Sequence, residues 1–201
     1  MLKEHRYSVL VVSAGDKFVD ALFPLLSPEE FDRAEVATNV GQARRMCLEN
    51  SYDIIVINAP LLDEFGTNFA VDITSDSGSG VMLCVKADMY DVITAKTEDY
   101  GVLTVSKPTN RAIMKQSIKL LCATRERLMR IEKKVQTFEE KMEEIKIVNK
   151  AKWLLIDNLK LAENDAHKYI EKLAMNTRKP RREVAQHIIE EYSKPEGGKS
   201  T

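Results

Sequence analysis

The stretch MKQSIKLLCATRERLMRIEKKVQTFEEKMEEIKIVN (114–149) repeats its apolar residues every seven positions, and the rest of the chain is organised around it. The first row of the repeat is Met114, Leu121, Leu128, Val135, Met142 and, as its polar last member, Asn149. A second row, Ile131, Phe138 and Ile145, follows three residues behind part of the first. No glycine or proline interrupts residues 111–178, so the sequence predicts one long helix with a narrow apolar face.

An apolar face of this kind is stable in water only when another helix covers it. The sequence therefore predicts a homodimer joined by a coiled coil, although packing of the helix on its own chain is the alternative. The polar Asn149 at the end of the repeat is a residue type that fixes the register of coiled coils. The predicted dimer seam consists of Leu121, Leu128, Ile131, Val135, Phe138, Met142, Ile145 and Asn149.

Before this helix, short apolar runs alternate with helical patterns. Such alternation is typical of βαβ units, in which a parallel sheet is covered by helices on both faces. We predict an α/β domain with a doubly wound, five-stranded parallel sheet, whose chemistry would gather at the C-terminal ends of the strands. The predicted strands are Tyr7–Val12, Ala34–Ala37, Ile54–Ile57, Val81–Val85 and Val102–Val105.

Four segments of this domain resemble, in order and spacing, the receiver domain of bacterial response regulators. They are VLVVSAGD (9–16), YDIIVINAPLLDEFG (52–66), GVMLCVKAD (80–88) and GVLTVSKP (101–108). In receivers, an acidic pair after the first strand binds Mg²⁺ and an aspartate at the end of the third strand accepts phosphate. The resemblance extends over about residues 7–121 and implies the receiver fold.

The residues at the matching site differ from that pattern. Ser13 and Ala14 replace the acidic pair, Asn58 replaces the aspartate, and only Lys107 is retained. An amide is a poor nucleophile, and a hard cation needs carboxylate oxygens to hold it. The sequence therefore predicts a pseudo-receiver with no phosphoacceptor, no metal and no cofactor, and Asp16 or Asp63 is not expected to restore a metal site. Its role is either that of a folded spacer or that of a docking surface for a sensor protein.

Three amphipathic segments follow the heptad repeat. Lys150 to Leu159 extends the long helix, Glu163 to Thr177 forms a second helix, and Pro180 suits the first turn of a third. We expect the last residues, 196–201, to be a disordered tail. The predicted division of the chain is a pseudo-receiver domain over 1–110, a coiled-coil helix over 111–149, and a three-helix module over 150–195.

The sequence NKAKWLLIDNLKLAENDAHKYIEKLAMNTRKPRREVAQHII (149–189) resembles the ANTAR domain, the RNA-binding output module of the AmiR and NasR transcription antitermination regulators. The resemblance runs through the module in one register, from Ala151 and Lys152 to Val184 and Ala185. Two positions depart from the family pattern, because Trp153 replaces a small residue and Ala162 replaces a helix-capping Ser or Thr.

The resemblance implies that the module binds stem-loops in nascent leader RNA and prevents a terminator hairpin from forming. RNA loops offer phosphates to cations and unstacked bases to aromatic rings. Instead of stacking on bases, Tyr169 could pack in the core of the module and Trp153 could pack in the dimer. Instead of binding RNA, the cluster from Arg178 to Arg182 could form a turn exposed to solvent. The candidate RNA-binding residues are Lys150, Lys152, Trp153, Lys168, Tyr169, Arg178, Lys179, Arg181 and Arg182.

Charge distribution agrees with a polyanionic partner for the second half of the chain. Residues 1–110 hold 9 basic and 17 acidic residues, whereas residues 111–146 hold 10 against 6 and residues 147–201 hold 11 against 8. The net charges are thus −8, +4 and +3 for the three segments. A DNA-binding transcription factor and a protein-interaction adaptor remain the alternatives to RNA binding.

An enzyme is the function class that the sequence favours least. The three histidines are isolated, and neither a Ser/His/Asp arrangement nor a glycine-rich phosphate loop occurs. The three cysteines are far apart and lack metal-ligand spacing, which indicates reduced thiols. Without a signal peptide or a membrane-length apolar run, the chain is expected to be a bacterial cytoplasmic protein that does not contact membranes.

Overall fold

The structure is a computed structural model that describes residues 5–193, and the predicted tail at 196–201 lies outside these residues. The described chain forms two compact units, which meet in sequence between Ile131 and Glu132. The first unit contains a five-stranded parallel sheet with the order β2-β1-β3-β4-β5, which confirms the predicted fold. Its strands are β1 (Tyr7–Val12), β2 (Phe31–Ala37), β3 (Ile54–Asn58), β4 (Gly80–Lys86) and β5 (Leu103–Lys107).

The sheet is covered by helices on both faces because its strands are apolar on both sides. Leu10 and Val12 of β1 belong to a core with residues of three helices on one face. Val9 and Val11 point the other way, into a second core that includes residues of two further helices. The helices on the first face are α2 (Val40–Glu49), α3 (Thr67–Asp76) and α4 (Tyr90–Thr97), and those on the second are α1 (Asp16–Leu22) and the beginning of α5 (Arg111–Leu159).

Helix α5 is continuous over 49 residues, as the absence of glycine and proline predicts. Its first turns pack on the sheet, where Met114, Ile118 and Leu121 are buried in the second core. Leu121 lies over Gly80, and a Cβ atom at Gly80 would be in ordinary van der Waals contact with Leu121 Cδ2, at 3.4 Å. The assignment of Leu121 to the dimer seam is therefore corrected: this side chain is 4% exposed and packs within its own domain.

A buried carboxylate fixes α5 to the edge of the sheet opposite the receiver-like site. Asp53, which precedes β3, accepts hydrogen bonds from the backbone N–H of Ser8 at 3.0 Å and from Arg125 Nε of α5 at 3.2 Å. His5 Nε2 lies 3.0 Å from the same carboxylate. Burial acts to raise the pKa of Asp53, but the hydrogen bonds from Ser8, Arg125 and His5 outweigh it and lower that pKa.

The second unit closes around its own small core. The end of α5 packs with α6 (Glu163–Thr177) and α7 (Arg181–Tyr192), and Leu155, Ile170 and Ile188 are buried between them. As the sequence suggests, Ala162 begins α6 without a side-chain capping hydrogen bond. Within the part of the chain that the structure describes, none of the helices has both the length and the apolar character to span a membrane.

Candidate functional site

Ser13, Asn58 and Lys107 meet at the C-terminal edge of the sheet, where the sequence places the altered receiver site. Asn58 Nδ2 donates to Ser13 Oγ at 3.0 Å, and Asn58 Oδ1 accepts from Lys107 Nζ. Lys107 Nζ also donates to the backbone carbonyl of Ala59 at 2.6 Å. Both ends of the Asn58 amide are thus bound by neighbouring side chains, whereas Ala14 adds no polar group. The cluster holds a lysine among neutral oxygens.

The one charged group of this cluster is the partly buried ammonium of Lys107, and no carboxylate of the cluster neutralises it. Burial lowers the pKa of Lys107, the Cys84 thiol acts to raise it, and the Lys86 ammonium lowers it further. Cys84 is fully buried, and burial raises the pKa of its thiol to about 12, so this thiol is not an anion at neutral pH. Lys107 consequently has no anionic partner among residues 5–193.

Asp63, one of the two carboxylates considered from the sequence as metal ligands, binds the N-terminus of α2. Its oxygens accept from the backbone N–H groups of Val40 at 3.0 Å and of Gly41 at 2.9 Å. These hydrogen bonds lower the pKa of Asp63. Asp16, the other carboxylate, begins α1. Among the described residues, no three His, Cys, Asp or Glu side chains are grouped to hold a metal.

In the second unit, several of the candidate RNA-binding cations are engaged in ion pairs. Lys152 Nζ lies 3.1 Å from Glu163 Oε1, and Lys179 pairs with Glu183. Arg181 lies 3.5 Å from Glu144 of α5 and 3.8 Å from Glu171 of α6. Glu183 is four residues from Lys179, whereas Glu144 and Glu171 come from other helices than Arg181, and sequence reasoning did not find any of these pairs. Arg181 therefore links three helices.

The other candidate cations are exposed and, in the described chain, form no ion pair: Lys150, Lys168, Arg178 and Arg182. Arg178 follows α6 directly and has a left-handed backbone conformation with φ of 56°. Its backbone N–H donates to the Met175 carbonyl at 3.3 Å, and the N–H of Lys179 donates to the Ala174 carbonyl at 3.1 Å. The end of α6 thus closes in a way that usually requires glycine.

Two aromatic side chains accompany these cations on the surface. Trp153 is 70% exposed on α5, three residues after Lys150, so both side chains lie on the same side of that helix. Tyr169 is 44% exposed on α6, next to Lys168 in sequence. Both rings are accessible for stacking, and neither belongs to the buried core of the unit.

The apolar row of α5 is exposed along the part of the helix between the two cores. Side chains of Leu128, Ile131, Val135, Phe138, Met142 and Ile145 are between 37% and 65% exposed. Asn149, at the end of the predicted seam, is also exposed. Exposed apolar side chains that recur in one row of a helix are typical of an interaction surface.

Comparison with known proteins separates the two units. Residues 136–189 match the family model of the ANTAR domain. Over 174 residues, the chain is 22% identical to the transcriptional regulatory protein PdtaR of Mycobacterium tuberculosis, an alignment that covers 87% of this chain and 85% of PdtaR. The ANTAR match spans the end of α5, all of α6 and most of α7, and it includes every candidate RNA-binding residue.

Solved structures resemble the receiver-like part of the chain. A response regulator receiver domain from Clostridium thermocellum has a TM-score of 0.53 at 14% identity and covers 61% of this chain and 98% of its own. A two-component response regulator from Clostridium difficile has a TM-score of 0.50 at 17% identity and covers 59% of this chain and 97% of its own. At these identities the similarity establishes the fold and nothing further.

Proposed function

We propose, from the premise that this chain is an ANTAR-domain response regulator with a receiver domain, that it binds stem-loops in nascent leader RNA as a dimer. Occupation of these stem-loops would prevent the terminator hairpin from forming, so that transcription continues. The observation that carries the proposal is the ANTAR match over residues 136–189. The similarity to a transcriptional regulatory protein over most of the chain supports a role in the control of transcription.

The chemistry of the module's surface supports RNA as the ligand. Exposed cations attract phosphates over a distance and release counterions on binding, and exposed rings can stack on unpaired bases. Lys150 and Trp153 place a cation near an accessible ring on the same side of α5, and α6 adds an exposed cation and an exposed ring at Lys168 and Tyr169. The ion-paired residues Lys152 and Arg181 are better suited to holding the module together than to contacting phosphate.

The exposed row on α5 supports the dimer. Six apolar side chains from Leu128 to Ile145 lie on one face of the helix in water, and the same face of a second copy would cover them. A dimer carries two RNA-binding modules. Two linked sites that engage two stem-loops of one transcript gain about 10²- to 10⁴-fold in affinity over a single site.

For the receiver domain we propose a regulatory role without phosphorylation. A phosphoryl group needs a carboxylate nucleophile and a cation to neutralise its charge. Asn58 is an amide whose Oδ1 and Nδ2 are both hydrogen-bonded, and Ser13 and Ala14 supply no carboxylate for Mg²⁺. The domain would then receive its signal by binding another molecule, such as a sensor protein.

A gel-shift experiment with the purified full chain tests the proposal. The probe is the leader RNA of the neighbouring operon with its paired stem-loops, and the matched control is duplex DNA of the same sequence. We expect a shift with RNA alone. A shift with duplex DNA alone would support a DNA-binding transcription factor, and binding to neither would support a protein-interaction adaptor.

Single substitutions of the two adjacent arginines refine this experiment. Arg182→Ala should weaken RNA binding and reduce the dependence of log affinity on log salt by about 0.7 to 0.9, because one phosphate contact is lost. Arg181→Ala should mainly lower the stability of the module, by about 0.2 to 1 kcal/mol, since its partners are Glu144 and Glu171. Lys96→Ala in α4 is the control and should change neither quantity. An unchanged salt dependence for Arg182→Ala would exclude Arg182 from the contact.

A further inference from the structure

A cavity of about 540 Å³ lies between α1 and the beginning of α5 in the receiver domain. Its volume is within the range of small-molecule sites in proteins, which is about 300 to 1,000 Å³. The apolar wall is formed mainly by Phe18, Leu25, Pro108 and Met114. Of the altered receiver site, only Lys107 lines this cavity, and Ser13 and Asn58 are not part of its wall.

The charged groups around this cavity are predominantly positive. Lys17, Lys107 and Arg111 line it, against a single carboxylate, Asp20. Lys17 and Lys107 belong to residues 1–110, whose net charge is −8, and Arg111 follows that segment directly. A cavity with an excess of positive charge attracts an anionic ligand more strongly than a neutral or cationic one.

Lys107 and Thr109 supply the polar groups that such a ligand would satisfy. Lys107 is half-buried and its ammonium contacts only the neutral oxygens of Asn58 and Ala59. Thr109 is among the residues that line the cavity. Its hydroxyl oxygen, Oγ1, is buried and has no hydrogen-bond partner in the described chain. A buried hydroxyl without a partner is costly, and each such group in a folded protein needs an explanation.

We propose that this cavity binds a small amphipathic organic acid. Its carboxylate would lie against Lys107, with Lys17 and Arg111 at the rim, and rotation of the Thr109 side chain would bring the buried Oγ1 within reach of the carboxylate. The apolar part of the ligand would fill the space next to Phe18 and Met114. The site combines an apolar wall with a few polar groups, which is the usual composition of ligand sites. Since Arg111 and Met114 are in the first turn of α5, the ligand would contact the helix that also carries the exposed apolar row.

Calorimetric titration of the full chain with octanoate tests this inference. Octanoate provides a carboxylate and an apolar chain of suitable size, whereas acetate and inorganic phosphate provide the anion alone and octylamine provides the chain with the opposite charge. We expect one octanoate per chain and binding at least about tenfold weaker for each of the three other probes, because each lacks one of the two interactions. Equal binding of octylamine, or no binding of octanoate, would overturn the proposal.

Substitutions then locate the site. Lys107→Met and Thr109→Val keep the approximate shape of their side chains and should each weaken octanoate binding, by about tenfold for the charged group and less for the hydroxyl. Lys96→Met, in α4, removes an exposed lysine away from the cavity and should leave binding unchanged. Thermal unfolding of each variant shows that it is folded. Binding that is unaltered in both Lys107→Met and Thr109→Val would place octanoate elsewhere and refute the assignment.

Discussion

Arg178 and Lys160 are the two residues other than glycine that have a positive φ in the described chain, at 56° and 54°. Both are basic, both are exposed, and both follow the last turn of a helix in the second unit. A side chain in this conformation costs about 1 to 2 kcal/mol relative to the right-handed region, whereas glycine has little such cost. A strained backbone that persists is a reason to look for a function of the side chain.

Replacement of Arg178 by glycine should therefore change stability and RNA affinity in opposite directions. We expect Arg178→Gly to raise the free energy of unfolding by about 1 kcal/mol, because the backbone strain is relieved. RNA binding should weaken, and its salt dependence should fall by about 0.7 to 0.9, because a phosphate contact is lost. Urea unfolding and filter binding measure the two effects.

Lys160→Gly is the matched control for this experiment. It relieves the same strain at the end of α5, but Lys160 is not among the candidate RNA-binding residues, so stability should rise while affinity stays constant. If Arg178→Gly binds RNA as the unaltered chain does, then Arg178 does not contact RNA.

Asp53 should make the stability of the receiver domain dependent on pH in the acidic range. Its pKa is lowered in the folded state, so the ionised carboxylate stabilises the fold. This contribution is fully present above the unfolded pKa of about 3.9 and is lost as the pH falls through the lower folded value. Asp53→Asn should reduce stability at pH 7 and flatten the loss below about pH 4.

Urea unfolding at a series of pH values between neutral and strongly acidic measures this effect. Asp88→Asn, which alters an exposed aspartate just after β4, should leave the pH profile unchanged. An Asp53→Asn variant with the same acid sensitivity as the original chain would show that the contacts of Asp53 with Ser8 and Arg125 do not stabilise the fold.

At the scale of elements, the exposed row on α5 carries the prediction for the dimer. Phe138→Glu introduces a charge into the middle of the proposed seam, where it would be buried against the partner helix. We expect the dimer to dissociate at micromolar concentration, as sedimentation equilibrium would show. Gln136→Glu adds the same charge off the seam and should leave the dimer intact. A Phe138→Glu chain that remains dimeric would place the dimer interface elsewhere.

The same helix shows which features could be predicted from the sequence. Its continuity followed from the absence of glycine and proline, and the strands followed from their apolar runs. The burial of Leu121 did not follow, because Leu121 and Leu128 occupy equivalent positions of one heptad row and are chemically identical. Whether a leucine in that row is buried depends on the fold of the preceding domain, which leaves Leu121 only 4% exposed and Leu128 37% exposed.

The candidate sites show the same limit. The meeting of Ser13, Asn58 and Lys107 at one edge of the sheet could be predicted, because the resemblance to receivers places them at strand ends and parallel strands end together. The ion pairs of Arg181 could not, since Glu144 and Glu171 precede it by many residues and no periodicity relates the three. The unpartnered hydroxyl of Thr109 likewise has no signal in the sequence, because it depends on which atoms surround it.

At the scale of the whole molecule, the expected behaviour is that of a regulator whose receiver domain does not accept phosphate. Incubation of the chain with acetyl phosphate and Mg²⁺ should leave its intact mass unchanged, because no carboxylate stands at residue 13, 14 or 58. The single change Asn58→Asp should also remain unmodified, since the Mg²⁺ ligands would still be missing. A mass increase of one phosphoryl group on the unaltered chain would contradict this prediction.

Helix α5 packs on the sheet with one row of side chains and carries the exposed apolar row further along, without a loop in between. Each added residue turns everything beyond it by about 100°, whereas seven residues bring the helix nearly back to its starting orientation. We therefore expect insertions or deletions in this part of the helix to keep its two rows in line when they add a nearly whole number of turns, such as about seven, eleven or eighteen residues. Homologues should differ in the length of this helix by such steps, and a natural variant with two residues more would need a second, compensating change in the same helix.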